Sequence, residues 1–155
     1  MLNRTYDTQV CSIARTLEVV GERWTLLVLR DVLQGARRFD ELVESLGVAR
    51  NVLSDRLDRL VDHGLLERKP YQDRPPRFDY HPTAKGGELL VVLLGLMHWG
   101  DRHLAGEAGP PRLVEHRDCG GAVVEQLACA TCRQTVTPDQ VTTRPGPGLP
   151  ARLAG

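Results

Sequence analysis

Residues 39–82 read FDELVESLGVARNVLSDRLDRLVDHGLLERKPYQDRPPRFDYHP, and this stretch decides the fold. Phe39, Leu42, Val43 and Leu46 recur at i, i+3, i+4 and i+7, the spacing of one helix face, so a short helix is expected over Phe39–Leu46. Gly47 and Val48 make a tight turn. Leu53, Leu57, Leu60 and Val61 then fall on one stripe of a second helix, Arg50–His63, which Gly64 stops. After Gly64 the pattern changes. Leu65–Lys69 reads as a short strand, Pro70–Pro76 as a turn and Arg77–His81 as a second strand with polar and aromatic residues alternating. Helix, short Gly-containing turn, helix and hairpin make a helix-turn-helix followed by a wing.

Working outward, two helices are expected upstream. Cys11–Val19 sets Ile13, Leu17 and Val20 near one face, and Glu22–Leu33 is apolar almost all round between Leu26 and Leu29, which suits the centre of a fold. Downstream, Thr83 caps a long helix over about residues 84–104 with Leu89, Val92, Leu93, Leu96 and Trp99 on one broad face. That face is wider than a small domain needs to cover itself. The fold class is therefore mainly α with a small β-wing. Composition divides the chain into residues 1–108, a Cys- and Gly-punctuated appendage at 109–140, and a Pro/Gly-rich tail at 141–155 expected to be disordered.

Bulk composition excludes several classes. The 155 residues carry 20 Lys and Arg against 20 Asp and Glu, for a formal net charge of zero, with 41% hydrophobic and 26% charged residues. This is a globular balance and not that of a polycation coating nucleic acid. The longest apolar run, Leu89–Leu94, is too short to span a bilayer, and the N-terminus has no signal-type apolar core, so no membrane association and a cytoplasmic location are expected.

The second helix of the unit would enter the major groove of double-stranded DNA. Opposite its apolar stripe stand Arg50, Asn51, Ser54, Asp55 and Asp58, with Arg59 at the flank. Arg reads guanine edges and Asn adenine edges. Arg68, Lys69, Arg74 and Arg77 on the wing suit phosphates or a minor groove, and Arg37 and Arg38 add backbone contacts. The same pattern also describes an ordinary solvated helix, and Asp55, Asp58 and Asp62 would be repelled by phosphates unless they pair with Arg56 and Arg59 or accept from cytosine.

Residues 11–100 resemble the HxlR-type family of winged-helix transcription regulators, relatives of the MarR group. The resemblance is carried by Cys11, GERWTLLVLRDVLQGARRFDEL (21–42), VLSDRLDRLVDHGLLER (52–68), PPRFDYHPTAKG (75–86) and HWG (98–100). It implies a dimeric DNA-binding regulator, here a repressor in first expectation, acting on an inverted-repeat operator. The dimer would be built from the N-terminal segment and the long C-terminal helix. Two departures stand out: Ala49 where such proteins commonly have Ser, removing a helix cap of about 1 kcal/mol, and Pro82 where Leu is common.

Three further features carry candidate chemistry. Cys11 matches a position that senses oxidants or electrophiles in some family members, and a thiol at a helix N-terminus is favoured as thiolate; equally, it is a small packing residue. Trp24, Met97, His98 and Trp99 are candidates to line a small-molecule effector pocket, or else simply part of the dimer core. His116-x-x-Cys119 and Cys129-x-x-Cys132 supply one His and three Cys, a complete tetrahedral set for one structural zinc in a ribbon whose strand would be VVEQL (123–127); the alternative is a Cys pair without metal. Two other functions remain open to test. One is an interaction module that keeps the winged-helix fold without DNA binding. The other is a thiol oxidoreductase, disfavoured because Cys129-x-x-Cys132 lacks a βαβ setting; no phosphate loop, metalloprotease signature or nucleophile elbow accompanies it, so no catalytic residue is assigned.

Overall fold

The computed structural model describes residues 5, 6 and 9–150. The chain divides into two compact units, Met1–Met97 and His98–Gly155. The first holds α1 (Ser12–Val20), α2 (Thr25–Leu33), α3 (Phe39–Leu46), α4 (Arg50–Asp62), the strands β1 (Leu66–Asp73) and β2 (Pro76–Pro82), α5 (Ala84–Glu88) and the start of α6 (Leu90–Leu104).

The core of this unit is what the periodicities require. Leu53, Leu57 and Leu60 of α4 are fully buried against Val28, Leu29 and Val32 of α2, Leu42 of α3, and Leu65, Leu66 and Tyr80 beside the wing. Each such side chain contributes about 1.5–3 kcal/mol by leaving water. The turn between α3 and α4 works through Gly47, whose φ of 60° is a left-handed conformation that glycine adopts at low cost. Its N–H donates to Val43 O at 2.9 Å, ending α3. Ala49 stands at the N-cap of α4 in extended conformation and supplies no side-chain cap.

The wing joins the body through main chain. Tyr80 N–H donates to Arg37 O at 2.8 Å, and Arg38 bridges antiparallel to Asp79. At its other end Thr83 accepts from Gly86 N–H at 3.1 Å and donates to Gly64 O at 2.7 Å. Gly86 is buried so tightly that a Cβ there would lie 2.0 Å from Leu65 O.

Three expectations are corrected. The second helix starts at Thr25, not Glu22, because Trp24 has a φ of 80°, which a right-handed helix cannot accommodate. The hairpin is longer than expected: its antiparallel strands run through Pro70 and leave only Arg74 and Pro75 at the tip. A register shift between Pro70 and Gln72 takes up the proline, which lacks a ladder donor and is tolerated at a bulge. The long helix is interrupted at Leu89, just after Gly86 and Gly87, so α5 and α6 are separate elements. On α6, Leu93 packs against the core while Val92, Leu96 and Trp99 are exposed.

In the second unit, residues 123–127 form no strand. Two isolated bridges, Glu115 with Ala122 and Ala128 with Thr135, each close one tight hairpin instead, and neither extends into a ladder. Residues 141–150 have neither helix nor strand, and residues 151–155 of the expected tail lie outside the described residues. Among the described residues no helix is long and apolar enough to cross a membrane.

Candidate nucleic-acid interface

α4 presents Arg50, Asn51, Ser54, Asp55 and Asp58 as exposed residues, because the stripe of Leu53, Leu57 and Leu60 fixes the opposite face inward. The first turn of this face is polar and cationic and the last is acidic. Arg50 is held between two residues of α3: its guanidinium bonds Asp40 at 2.6 Å and lies 5.0 Å from the centre of the Phe39 ring. The Arg50 guanidinium and the Asp40 carboxylate are both solvent-facing, so their ion pair is weak and exchangeable. With no side-chain cap at Ala49, the first N–H groups of α4 keep their donors for an outside acceptor.

Arg59 behaves differently from the other candidates. It is half-buried and donates to the Glu18 carbonyl of α1, with its Nε buried and unpartnered. Arg56, also half-buried, bonds Glu22 at 3.1 Å and Arg23 O at 3.2 Å. These two arginines tie α4 to the α1–α2 corner. Asp55, Asp58 and Asp62 therefore do not pair with them as anticipated. Instead Asp58 takes Arg68 of the wing at 3.3 Å.

On the wing, Arg68 also lies 5.4 Å from the Phe78 ring, and Lys69 pairs with Glu67 at 2.8 Å. That lysine is the first cause holding the Glu67 carboxyl below its ordinary range. Arg74 and Arg77 are exposed at the hairpin tip and make no ion pair among the described residues. Arg38 stands 4.9 Å from the Tyr71 ring and 3.7 Å from Asp79, which joins the α3 entry to the wing. Arg37 is turned inward and caps α2, donating to Ala36 O at 3.0 Å and to Val32 O. The backbone N–H groups of Arg38 and Arg37 both donate to Glu41, at 3.0 and 2.8 Å, and hold its carboxyl below the usual range. The sequence pattern assigns Phe39 only a packing role and Asp40 and Tyr71 none. Each positions an arginine distant in sequence, Arg50 for Phe39 and Asp40 and Arg38 for Tyr71, so no local pattern marked them.

The remaining candidates are placed as follows. Cys11 is half-buried at the N-cap of α1 and makes no side-chain cap. Trp24 packs half-buried against the core of the first unit with Arg23 5.9 Å from its ring. Met97 ends that unit, while in the second unit Trp99 pairs with His103 at 5.0 Å and His98 bonds Glu125. A cavity of about 310 Å³ lies between α1 and the entry to α2, lined by Leu17, Glu18, Gly21, Glu22, Arg23 and Arg59 among others, and none of these four residues lines it. His116 and Cys119 meet at 3.2 Å. Cys129 and Cys132 share a second turn, whose backbone N–H of Cys132, followed by that of Thr131, holds the Cys129 thiol below its ordinary range. The two pairs are not brought together: among the described residues no three His, Cys, Asp or Glu side chains converge on one point.

Comparison with known proteins agrees with the helix-turn-helix fold. The HxlR-like helix-turn-helix family profile matches residues 19–108. An HTH-type transcriptional regulator of Mycobacterium tuberculosis (strain ATCC 25618 / H37Rv) is 45% identical over 143 residues, covering 92% of this chain and 90% of that protein. A solved structure from Pseudomonas aeruginosa, named as the transcription factor PA1374, superposes with a TM-score of 0.66 at 45% identity over 93% of this chain and 98% of its own. A second, named as the transcription factor PA1607, gives a TM-score of 0.79 at 29% identity over 89% and 96%. The chain therefore belongs to the HxlR-like helix-turn-helix family.

Proposed function

We infer that the protein is a DNA-binding transcription regulator that inserts the N-terminal half of α4 into a major groove and lays the β1–β2 wing along the neighbouring phosphates. The observation that carries this reading is the juxtaposition of Arg50, Asn51 and Ser54, exposed on α4, with exposed Arg74 and Arg77 at the wing tip. Arg50, Asn51 and Ser54 would read base edges, while Arg74, Arg77, Lys69 and Arg38 would contact the backbone. Arg59 and Arg37 serve as positioning residues that fix α4 and the α3 entry.

The proposal extends to a homodimer. α1 exposes Ile13 and Leu17, and α6 exposes Leu90, Val91, Val92, Leu96, Trp99 and Leu104. Exposed apolar side chains in this number on one helix mark a surface that a partner covers. A second copy is the partner the symmetry of an inverted repeat requires. Such a dimer blocks transcription where its operator overlaps a promoter, and a signal that changes the distance between the two α4 helices would release it.

Titrating the full chain onto a fluorescent duplex from its own upstream region tests the reading. Binding that strengthens as salt is lowered is expected, with a solution mass of twice 17.2 kDa. A duplex that stays unbound at micromolar protein and low salt would favour the interaction module instead.

A further inference from the structure

The second unit contains the same backbone motif twice. In the first copy His116 N–H donates to Gly121 O at 2.8 Å, Gly120 N–H to His116 O at 2.8 Å and Val123 N–H to Val114 O at 2.9 Å. In the second, Cys129 N–H donates to Gln134 O, Arg133 N–H to Cys129 O and Val136 N–H to Leu127 O, each at 2.9 Å. Counted from His116 and from Cys129, the three bonds join identical positions. The bridges repeat as well, Glu115 with Ala122 and Ala128 with Thr135. So does the left-handed residue that closes each turn, Gly120 at φ 68° and Arg133 at φ 62°. A non-glycine residue seldom takes that conformation, so the second turn keeps its shape against the preference of its own sequence.

What this turn does chemically is bring the side chains at i and i+3 together. His116 Nδ1 lies 3.2 Å from Cys119 Sγ, and the repeated backbone bonds set Cys129 and Cys132 at the same two positions of the second turn. Two donors on one tetrahedral zinc, at about 2.0 Å for nitrogen and about 2.3 Å for sulfur, stand about 3.5 Å apart. The first turn is thus already near the edge length of a zinc tetrahedron, and the second has the same backbone frame. The unit around them has no core: none of its described side chains is buried, and Leu113, Val124 and Leu127 are each more than half exposed.

We propose that this unit takes up one zinc ion, held by His116 Nδ1 and by the thiolates of Cys119, Cys129 and Cys132. Each turn supplies two ligands. The pairs stand apart in this structure, so binding closes one hairpin onto the other and draws the 122–128 connection, with Val124 and Leu127, into a ribbon. Three thiol protons pass to solvent as the ion binds, and the imidazole enters neutral. Four protein donors leave no open position, so the ion is structural.

Metal analysis of the full chain purified without chelator tests this proposal. About one zinc per chain is expected, falling below roughly a tenth in the Cys119→Ser, Cys132→Ser double variant. Cobalt(II) exchanged into the wild-type chain should show the intense absorption of a tetrahedral thiolate site, a readout independent of whether that variant folds. Wild-type protein with under roughly a tenth of an equivalent, iron in place of zinc, a weak octahedral cobalt spectrum, or zinc retained in the double variant would each overturn it.

Discussion

Arg50 is held by Asp40 and by the Phe39 ring, and in the proposed complex it would exchange those partners for a base edge. Arg50→Ala is expected to lower affinity for the specific duplex by about 1–3 kcal/mol, roughly five- to 150-fold, with little effect on scrambled DNA. Competition anisotropy measures both, and an equal loss on the two duplexes would move Arg50 to the phosphates. Gly86 makes a different prediction. Its Cβ-to-be meets a backbone oxygen and not the end of a flexible side chain, so Gly86→Ala should lower stability by about 1–3 kcal/mol, seen as a reduced Tm. The polar face of α4 was legible in the sequence because Leu53, Leu57 and Leu60 fix its opposite face. The inward turn of Arg59 was not: its partner is a backbone carbonyl 41 residues away, a contact that no local pattern encodes.

The wing and the Cys/His segment show how far pattern reading reaches for whole elements. The hairpin was readable from its alternation, but its length was hidden by Pro70, which breaks the strand signal while the backbone absorbs it in a bulge. The break at Leu89 was hidden in the opposite way, since the apolar face of 84–104 runs on through it. For the wing, replacing Arg74 and Arg77 together by Ala should weaken binding to all duplexes alike. It should also flatten the slope of log K against log salt by about 2, because each lost phosphate contact returns roughly 0.9. An unchanged slope would remove the wing from the interface. In the second unit Glu125 accepts from Arg102 at 3.2 Å and from His98. Its own backbone N–H, then His98, holds its carboxyl at about 2. A carboxyl depressed in the folded state stabilises it above the ordinary carboxylate range and loses that contribution as pH falls toward about 2. Glu125→Gln should therefore flatten the acid side of this unit's stability profile, as followed by hydrogen exchange at residues 123–126.

For the whole molecule, a formal net charge of zero sets the terms of binding. The wing carries Arg68, Lys69, Arg74 and Arg77 against Glu67, Asp73 and Asp79, and two of those four cations are already paired with carboxylates. Non-specific attraction is accordingly expected to be weak, and the proposed dimer would draw its affinity from base contacts and from engaging two half-sites at once. The central claim is that two copies of α4 read one operator through opposite halves of a symmetric dimer. Hydroxyl-radical footprinting of the full chain on its own upstream region tests it most directly. Two protected half-sites in inverted orientation are expected, with centres separated by about one helical turn of 10–10.5 base pairs or slightly more. A single unpaired protected patch, or protection spread evenly along the duplex, would contradict it.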